Sequence, residues 1–389
     1  MRPNHLTSFK TIEMNLGKDS YPIVIGENAV EDLPKLINTR RSNKIFMISD
    51  RALKSARKKV MKLMTVHGWE IHDIPVKAGE GLKDIQSVYP IYGELLKKGA
   101  DRDSLILALG GGSIGDVAGF IASTYLRGID WVGLPTTLLA QVDSSVGGKT
   151  GINHSAGKNL IGSFYQPTLV ICDVQFLKTL SKREVVSGLG EVVKYSLTFD
   201  APFFHYLDEH LEALLKLQPA ALTHAIQKSI EWKCKAVTAD VYDRKGVREV
   251  LNFGHTFGHA LESATKYKKF QHGEAVIWGM RFALALSEKR DHLKAGARLQ
   301  MDELLQRLPI PKIPKTLKPQ QIFDYMKKDK KVEGKAIRFV LIDRVGHSLS
   351  DRQVIPSDLK AAHELLSVMP KKPKKKSSKK QNQKKKRAK

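Results

Sequence analysis

Cysteine is scarce in this chain, long apolar runs are missing, and acidic residues are few for the number of basic ones. The two cysteines among 389 residues, Cys172 and Cys234, lie far apart in apolar or amphipathic sequence. They exclude a disulfide framework, which suits a reducing cytoplasm. No segment approaches the ~18 consecutive apolar residues of a membrane-spanning helix. The N-terminal stretch MRPNHLTSFKTIEMNLG lacks the apolar run of a secretory signal. A soluble, cytoplasmic protein is expected, and no internal repeat is visible.

Acidic residues number 40 against 65 Lys and Arg, a formal charge of +25. Twelve of those positive charges, with no acid among them, fall in KKPKKKSSKKQNQKKKRAK (371–389), so the charge of residues 1–370 is +13. That balance is compatible with an enzyme of phosphorylated metabolites. Residues 369–389 carry almost no apolar side chain and are expected to form a disordered Lys-rich tail. Two readings of the tail are a nucleic-acid or anionic-membrane tether and a solubilising extension with weak polyanion binding.

Two textures divide the rest. Up to about residue 180, β-rich runs (21–26, 44–49, 69–76, 104–110, 131–135 and 169–173) alternate with helical spacing at 50–67 and 84–99. This alternation predicts an α/β domain over 1–180, doubly wound and Rossmann-like around a mostly parallel sheet. From 181 to 368 helical periodicity dominates, at 183–199, 203–217, 219–239, 250–265, 273–289, 294–308 and 320–329. Four prolines interrupt it in LPIPKIPKTLKP (308–319); a short strand (337–343) and a closing helix (357–366) complete a mainly α-helical second domain. The site is expected in the cleft between the two.

LALGGGSIGD (107–116) matches G-x-G-x-x-G at Gly110, Gly112 and Gly115, after a strand and opening a helix. Glycine there lets backbone approach a pyrophosphate, and the helix N-terminus favours its charge. The acidic residue due ~20 positions on would be Asp130, which precedes the next strand, so the frame differs from the usual dinucleotide one. VKAGEGLKD (76–84) is a second glycine-containing loop after a strand. PTTLLAQVDSSVGGKTGINHSAGKN (135–159) reads as a long polar loop with two lysines, Lys149 and Lys158, suited to phosphate or carboxylate.

Residues 251–274, LNFGHTFGHALESATKYKKFQHGE, hold His255, His259 and His272. His255 and His259 are four apart, one helix face, as in paired zinc ligands. The motif is not H-E-x-x-H, since Thr256 follows the first histidine, so a metalloprotease is excluded. Glu191 in SGLGEVVKYSL would be a buried charge on an apolar helix, which needs a cation. From the residues themselves, the ligands are His255, His272 and either Glu191 or His259.

GGGSIGDVAGF, RGIDWVGLPTTLLAQVDSSVGGKTGIN, GKNLIGSFYQP, SGLGEVVKY, LNFGHTFGHALE and HGEAV together resemble the 3-dehydroquinate synthase family, collinearly from about 20 to 345. The resemblance implies NAD and a divalent metal, zinc or cobalt, in the interdomain cleft. It assigns the metal to Glu191, His255 and His272, and makes His259 a substrate-contacting, proton-transferring residue. It places NAD against Asp50, Glu80, Lys83, Gly112, Ser113, Ile114, Gly115, Asp116, Thr136, Thr137, Lys149, Lys158, Phe176, Leu177, Lys178 and Thr179. Substrate contacts carried over are Asp143, Lys149, Asn159, Lys194, Arg248, Asn252, His259, Lys330 and Lys331. Arg127 resembles an arginine lent across a homodimer interface. The implied reaction converts 3-deoxy-D-arabino-heptulosonate 7-phosphate to 3-dehydroquinate and phosphate. Its steps are transient NAD-dependent oxidation, β-elimination, reduction, ring opening and aldol closure.

Two positions depart from the family pattern. Ala52 stands where an Asn follows the first nucleotide-contacting aspartate, and DVYDRKG before Arg248 has Arg244 in place of an acid, with one residue inserted; Asp240 or Asp243 could substitute. Three other functions compete: another sugar phosphate cyclase, a metal-dependent polyol dehydrogenase that releases NADH, and a catalytically dead protein held to nucleic acid by its tail.

Overall fold

The computed structural model describes residues 9–37, 42–328, 332–333 and 336–367. Strand and helix alternate first: β1 (Lys10–Met14), β2 (Tyr21–Gly26), α1 (Leu33–Leu36), β3 (Lys44–Asp50), α2 (Lys54–Val66), β4 (Glu70–Val76), α3 (Ile85–Lys97), β5 (Leu105–Gly110), α4 (Gly112–Thr124), β6 (Trp131–Pro135), β7 (Lys149–His154), β8 (Gly157–Phe164) and β9 (Leu169–Asp173). Helices then dominate: α5 (Lys182–Phe199), α6 (Ala201–Leu215), α7 (Pro219–Ala239), α8 (His255–Ala264), α9 (His272–Lys289), α10 (Ala295–Gln306) and α11 (Pro319–Lys328). The chain ends in β10 (Val332–Glu333), β11 (Ala336–Arg344), β12 (His347–Val354) and α12 (Pro356–Ser367). No helix among the described residues is long and apolar enough to cross a membrane.

Seven strands form one sheet in the order β1-β2-β9-β6-β5-β3-β4. Only the β1–β2 pair is antiparallel. Central strands such as LILALG and LVICD are buried throughout, as expected of parallel strands covered on both faces. Residues alternate between the covers. Ile45, Met47, Leu105 and Leu107 pack with Val60 and Met64 of α2. Phe46, Ile48, Ile106 and Ala108 pack with Ile91 of α3 and Val117 of α4. The sheet is doubly wound. Strand order reverses between β3 and β5, and ligands bind such sheets at the carboxyl ends flanking the reversal.

A third cluster joins the sheet to the helices. Ile23 and Ile25 of β2 and Val170 of β9 share one apolar core with Leu189 of α5, Phe204 of α6, Ile230 of α7 and Met280 of α9.

Three expectations need correction. Residues 135–159 are not one polar loop: a π-helical turn spans Ala140–Ser144, and β7 pairs with β8 in an antiparallel hairpin. Glycine-rich, polar strands conceal that pairing from a hydrophobic-pattern reading. The helix expected over 250–265 is broken, because Gly254 takes φ +78° between a 3-10 turn (Val247–Asn252) and α8. The strand near 337–343 is β11, and it has a partner in β12 that the sequence did not announce.

Candidate active site

A cleft of about 1960 Å³ opens over the carboxyl ends of the parallel strands. One wall holds Asp50 at the end of β3, Glu80 and Lys83 after β4, Gly112 and Ser113 at the start of α4, and Thr136 and Thr137 after β6. The other holds Thr256, His259, Glu262 and His272. β5 delivers the chain to Gly111, where α4 begins with backbone amides facing the cleft. A Cβ at Gly111 would stand 3.0 Å from the Thr137 side chain, so the loop is tight against its neighbour. Lys83 is buried, with its Nζ 2.6 Å from Asp116 Oδ2. Burial raises the Asp116 pKa, and the Lys83 charge and hydrogen bond oppose that rise.

The histidines come together from separate helices. α8 and α9 touch at glycine: a Cβ on Gly279 would lie 1.8 Å from Gly254 O, and one on Gly258 3.1 Å from Ala275 O. α5 and α9 do the same, with a Cβ on Gly273 placed 1.8 Å from Ser187 O. These approaches bring Glu191 (α5), His255 (α8) and His272 (α9) to one point. Glu191 Oε1 lies 3.6 Å from Nε2 of His255 and 3.6 Å from Nε2 of His272. His259 adds a third imidazole; one ligand atom from each histidine falls within 4.8 Å of the others.

Second contacts orient the rings. His255 Nδ1 is 3.1 Å from Phe253 O, and His272 Nδ1 is 3.2 Å from Glu262 Oε2. Both therefore turn Nε2 toward Glu191, the arrangement common behind metal-binding imidazoles. Burial, then Lys194, His259 and His272, holds the His255 pKa well below the usual histidine value. Burial would lower His272 too, but the Glu262 hydrogen bond and the charges of Glu191 and Glu262 prevail and raise it. Glu191 is fully buried; Lys194 Nζ bonds its Oε2, while Oε1 has no hydrogen-bond partner. An orphaned buried carboxylate oxygen facing two neutralisable imidazoles fits a divalent cation such as zinc or cobalt.

Beside this point lies a cluster of cations. Lys233 Nζ is 2.6 Å from Asp143 Oδ1, and the Tyr195 hydroxyl donates to the same oxygen at 2.8 Å. Burial alone would raise the Asp143 pKa, but Lys233 and Lys194 pull it far below the carboxylate range. Burial lowers the Lys233 pKa; Asp143 opposes this, and the charges of Lys194 and Arg248 add to the fall. Lys194, Lys233 and Arg248 are buried beside Asp143 and Glu191, three cations to two carboxylates, and that positive surplus suits an anionic ligand. Sequence reasoning missed Lys233, Tyr195 and Glu262.

Two family models cover this region: 3-dehydroquinate synthase N-terminal over residues 73–187, and 3-dehydroquinate synthase C-terminal over 188–332. A 3-dehydroquinate synthase of Idiomarina loihiensis is 42% identical over 341 residues, 87% of this chain and 94% of its own. One from Endomicrobium trichonymphae is 43% identical over 345 residues, 88% and 94% of the two chains. The chain belongs to the 3-dehydroquinate synthase family. Among solved structures, a 2-deoxy-scyllo-inosose synthase complexed with carbaglucose-6-phosphate, NAD+ and Co2+ is similar at TM-score 0.82 and 26% identity, over 92% of this chain and 99% of that one. A 2-epi-5-epi-valiolone synthase from Streptomyces hygroscopicus subsp. jinggangensis 5008, with NAD+ and Zn2+ bound, gives 0.81 and 25%, over 90% and 98%.

The other residues that the 3-dehydroquinate synthase resemblance singles out are spread around this centre. Lys158, Asn159, Phe176 and Thr179 line the cleft. Lys158 Nζ reaches across it, 3.8 Å from Glu80 Oε2 and 3.9 Å from the centre of the Tyr267 ring. Ile114 and Leu177 are core residues beneath the cleft, and Lys178 points to solvent. Gly115 and Lys149 line a small neighbouring hollow. Lys149 is exposed and pairs with Asp243 Oδ2 at 2.6 Å. Asp240 instead accepts the backbone N–H groups of Arg244 and Lys245, both at 2.9 Å, closing the loop that carries the insertion. Asn252 ends the turn before α8, half-buried. Arg127 is exposed, follows Leu126 in a left-handed turn (φ +47° and +72°), and lies outside its own cleft. Lys330 and Lys331 lie outside the described residues, as does the tail.

Proposed function

We propose that this cleft converts 3-deoxy-D-arabino-heptulosonate 7-phosphate to 3-dehydroquinate and inorganic phosphate, as an NAD- and metal-dependent phosphate lyase. The observation that carries the reading is the orphaned Glu191 Oε1 between two imidazoles, beside the cation-rich pocket of Lys194, Lys233 and Arg248. Metal ligation falls to Glu191, His255 and His272, with Phe253 O and Glu262 setting the ring orientations. When bound, the metal supplies Lewis acidity at a substrate hydroxyl, and the dinucleotide supplies a transient hydride acceptor.

The chain's own groups do the rest. Gly112, Ser113, Asp116, Thr136, Thr137, Lys158, Phe176 and Thr179 bind the dinucleotide across the reversal of strand order, with Asp50 on the same wall. Lys194, Lys233 and Arg248 bind the substrate's carboxylate or phosphate, and Asp143 keeps the cations in place while staying ionised. His259 is exposed on the cleft wall and takes up the proton released on β-elimination. Asn252 and Asn159 orient substrate hydroxyls. A homodimer in which Arg127 of a second copy meets the substrate phosphate accords with the turn that thrusts Arg127 outward. Relatives at 42% and 43% identity are 3-dehydroquinate synthases, whereas the inosose and valiolone synthases stand at 26% and 25%, which favours the first substrate.

Phosphate release from the heptulosonate phosphate, with and without NAD and a chelator, tests the proposal. Release is expected to stop when NAD is left out and when the chelator is added. Release that needs neither NAD nor metal, or NADH accumulating at the rate of turnover, overturns it.

A further inference from the structure

Asn153 lies on β7, just before the hairpin tip, outside every group assigned so far. Its Nδ2 donates to Glu80 Oε1 at 2.7 Å, and its Oδ1 accepts the backbone N–H of Asn159 at 3.0 Å. These two partners belong to different segments of the cleft wall, the loop after β4 and strand β8. Asn159 holds φ +54°, a left-handed backbone that asparagine adopts more readily than other non-glycine residues. In that conformation the Asn159 side-chain oxygen receives Lys83 Nζ, which also meets Asp116 Oδ2 at 2.6 Å. Glu80 Oε2 in turn lies 3.8 Å from Lys158 Nζ.

We propose that Asn153 is a positioning residue for dinucleotide binding: its amide locks Glu80, Lys83, Lys158 and Asn159 into one preformed wall. The inference rests on the reading of this wall as the NAD side of the cleft. The role needs both ends of an amide. Aspartate can accept from Asn159 but sets a second carboxylate against Glu80, and an apolar residue serves neither partner.

This asymmetry supplies the test. NAD affinity is measured by equilibrium titration on the full chain as purified, together with thermal unfolding, for the unsubstituted chain, Asn153→Asp, Glu80→Gln and the double variant. Asn153→Asp is expected to weaken NAD binding about tenfold or more, the worth of a hydrogen bond to a charged group. KM for NAD should rise more than kcat falls. In the double variant the amide introduced at position 80 can donate to the carboxylate introduced at position 153, so affinity is expected to return to that of Glu80→Gln alone. Equal binding by Asn153→Asp and the unsubstituted chain overturns the inference while leaving the cofactor reading intact. So does a double variant that regains its unfolding temperature but not its affinity, which would mark a purely structural role. An unsubstituted chain that binds no NAD overturns the cofactor reading, and this inference with it.

Discussion

Lys233 places its ammonium 2.6 Å from the carboxylate of Asp143, joining α7 to the π-helical turn after β6. Both groups are held by burial among like and unlike charges, so removing either disturbs fold and pocket together. Lys233→Ala is expected to destabilise the chain by about 2 kcal/mol, the cost of a hydrogen bond to a charged group. With one anion-binding charge gone, kcat/KM for the phosphorylated sugar acid should fall by about a hundredfold. Urea unfolding and steady-state phosphate release check the two numbers, and an unchanged kcat/KM would remove Lys233 from the site.

Metal uptake should depend on pH through His272. His255 is already neutral at pH 7 because its pKa is depressed, whereas His272 is raised and must lose a proton to bind a cation. Zinc affinity is therefore expected to fall about tenfold per pH unit below the His272 pKa, with proton release on binding. Glu262→Gln removes the charge behind that ring and should move the fall to lower pH. For the metal-free chain the sign reverses: the raised His272 contributes stability that is complete below pH 6.5 and lost as pH rises through its folded value. Isothermal titration at several pH values reads the first effect. Unfolding temperatures of the metal-free chain and of its Glu262→Gln variant read the second.

Gly279→Ala should damage the metal centre without touching a ligand. Its Cβ would meet Gly254 O at 1.8 Å, a backbone atom that cannot swing aside, so α8 must shift and carry His255 with it. A loss of about 3 kcal/mol is expected from overpacking. Weaker zinc binding should accompany it, measured by competition with a chromophoric chelator. Unchanged zinc affinity in a destabilised variant would show that the ligands sit independently of this contact.

Neither thiol should react in the folded chain. Burial pushes the Cys234 pKa to about 12 and raises Cys172 as well, leaving both protonated near neutral pH. Ellman titration at pH 8 is expected to count no fast thiol in the native protein and two after denaturation. Rapid labelling of the native state would contradict the buried positions on β9 and α7.

How much of this was readable beforehand depended on contrast. The parallel strands were legible because LILALG and LVICD are apolar runs bounded by turn residues, and they are buried on both faces. β1, KTIEM, is short and largely exposed, and only its antiparallel pairing with β2 makes it a strand. Glu191 drew notice as an acid in an apolar helix, and it is fully buried. Lys233 is the same kind of signal on another helix. It continues the stripe Ile226, Ile230 and Val237 along α7, the spacing of one buried helix face, yet a lysine in SIEWKCKAV reads as a solvated residue. Glu262 gave no such signal, because its role appears only once α9 returns His272 beside it.

The apolar core that runs unbroken from β2 and β9 into α5, α6, α7 and α9 limits how this enzyme can breathe. Swinging the sheet and helices apart would expose Ile23, Leu189 and Met280 to water, so motion at that seam carries the cost of uncovering apolar surface. At the rim, Lys158 spans from Glu80 to Tyr267, and only exposed side chains have to move there to admit a ligand. Heat or denaturant, for its part, should dismantle both regions in one cooperative step.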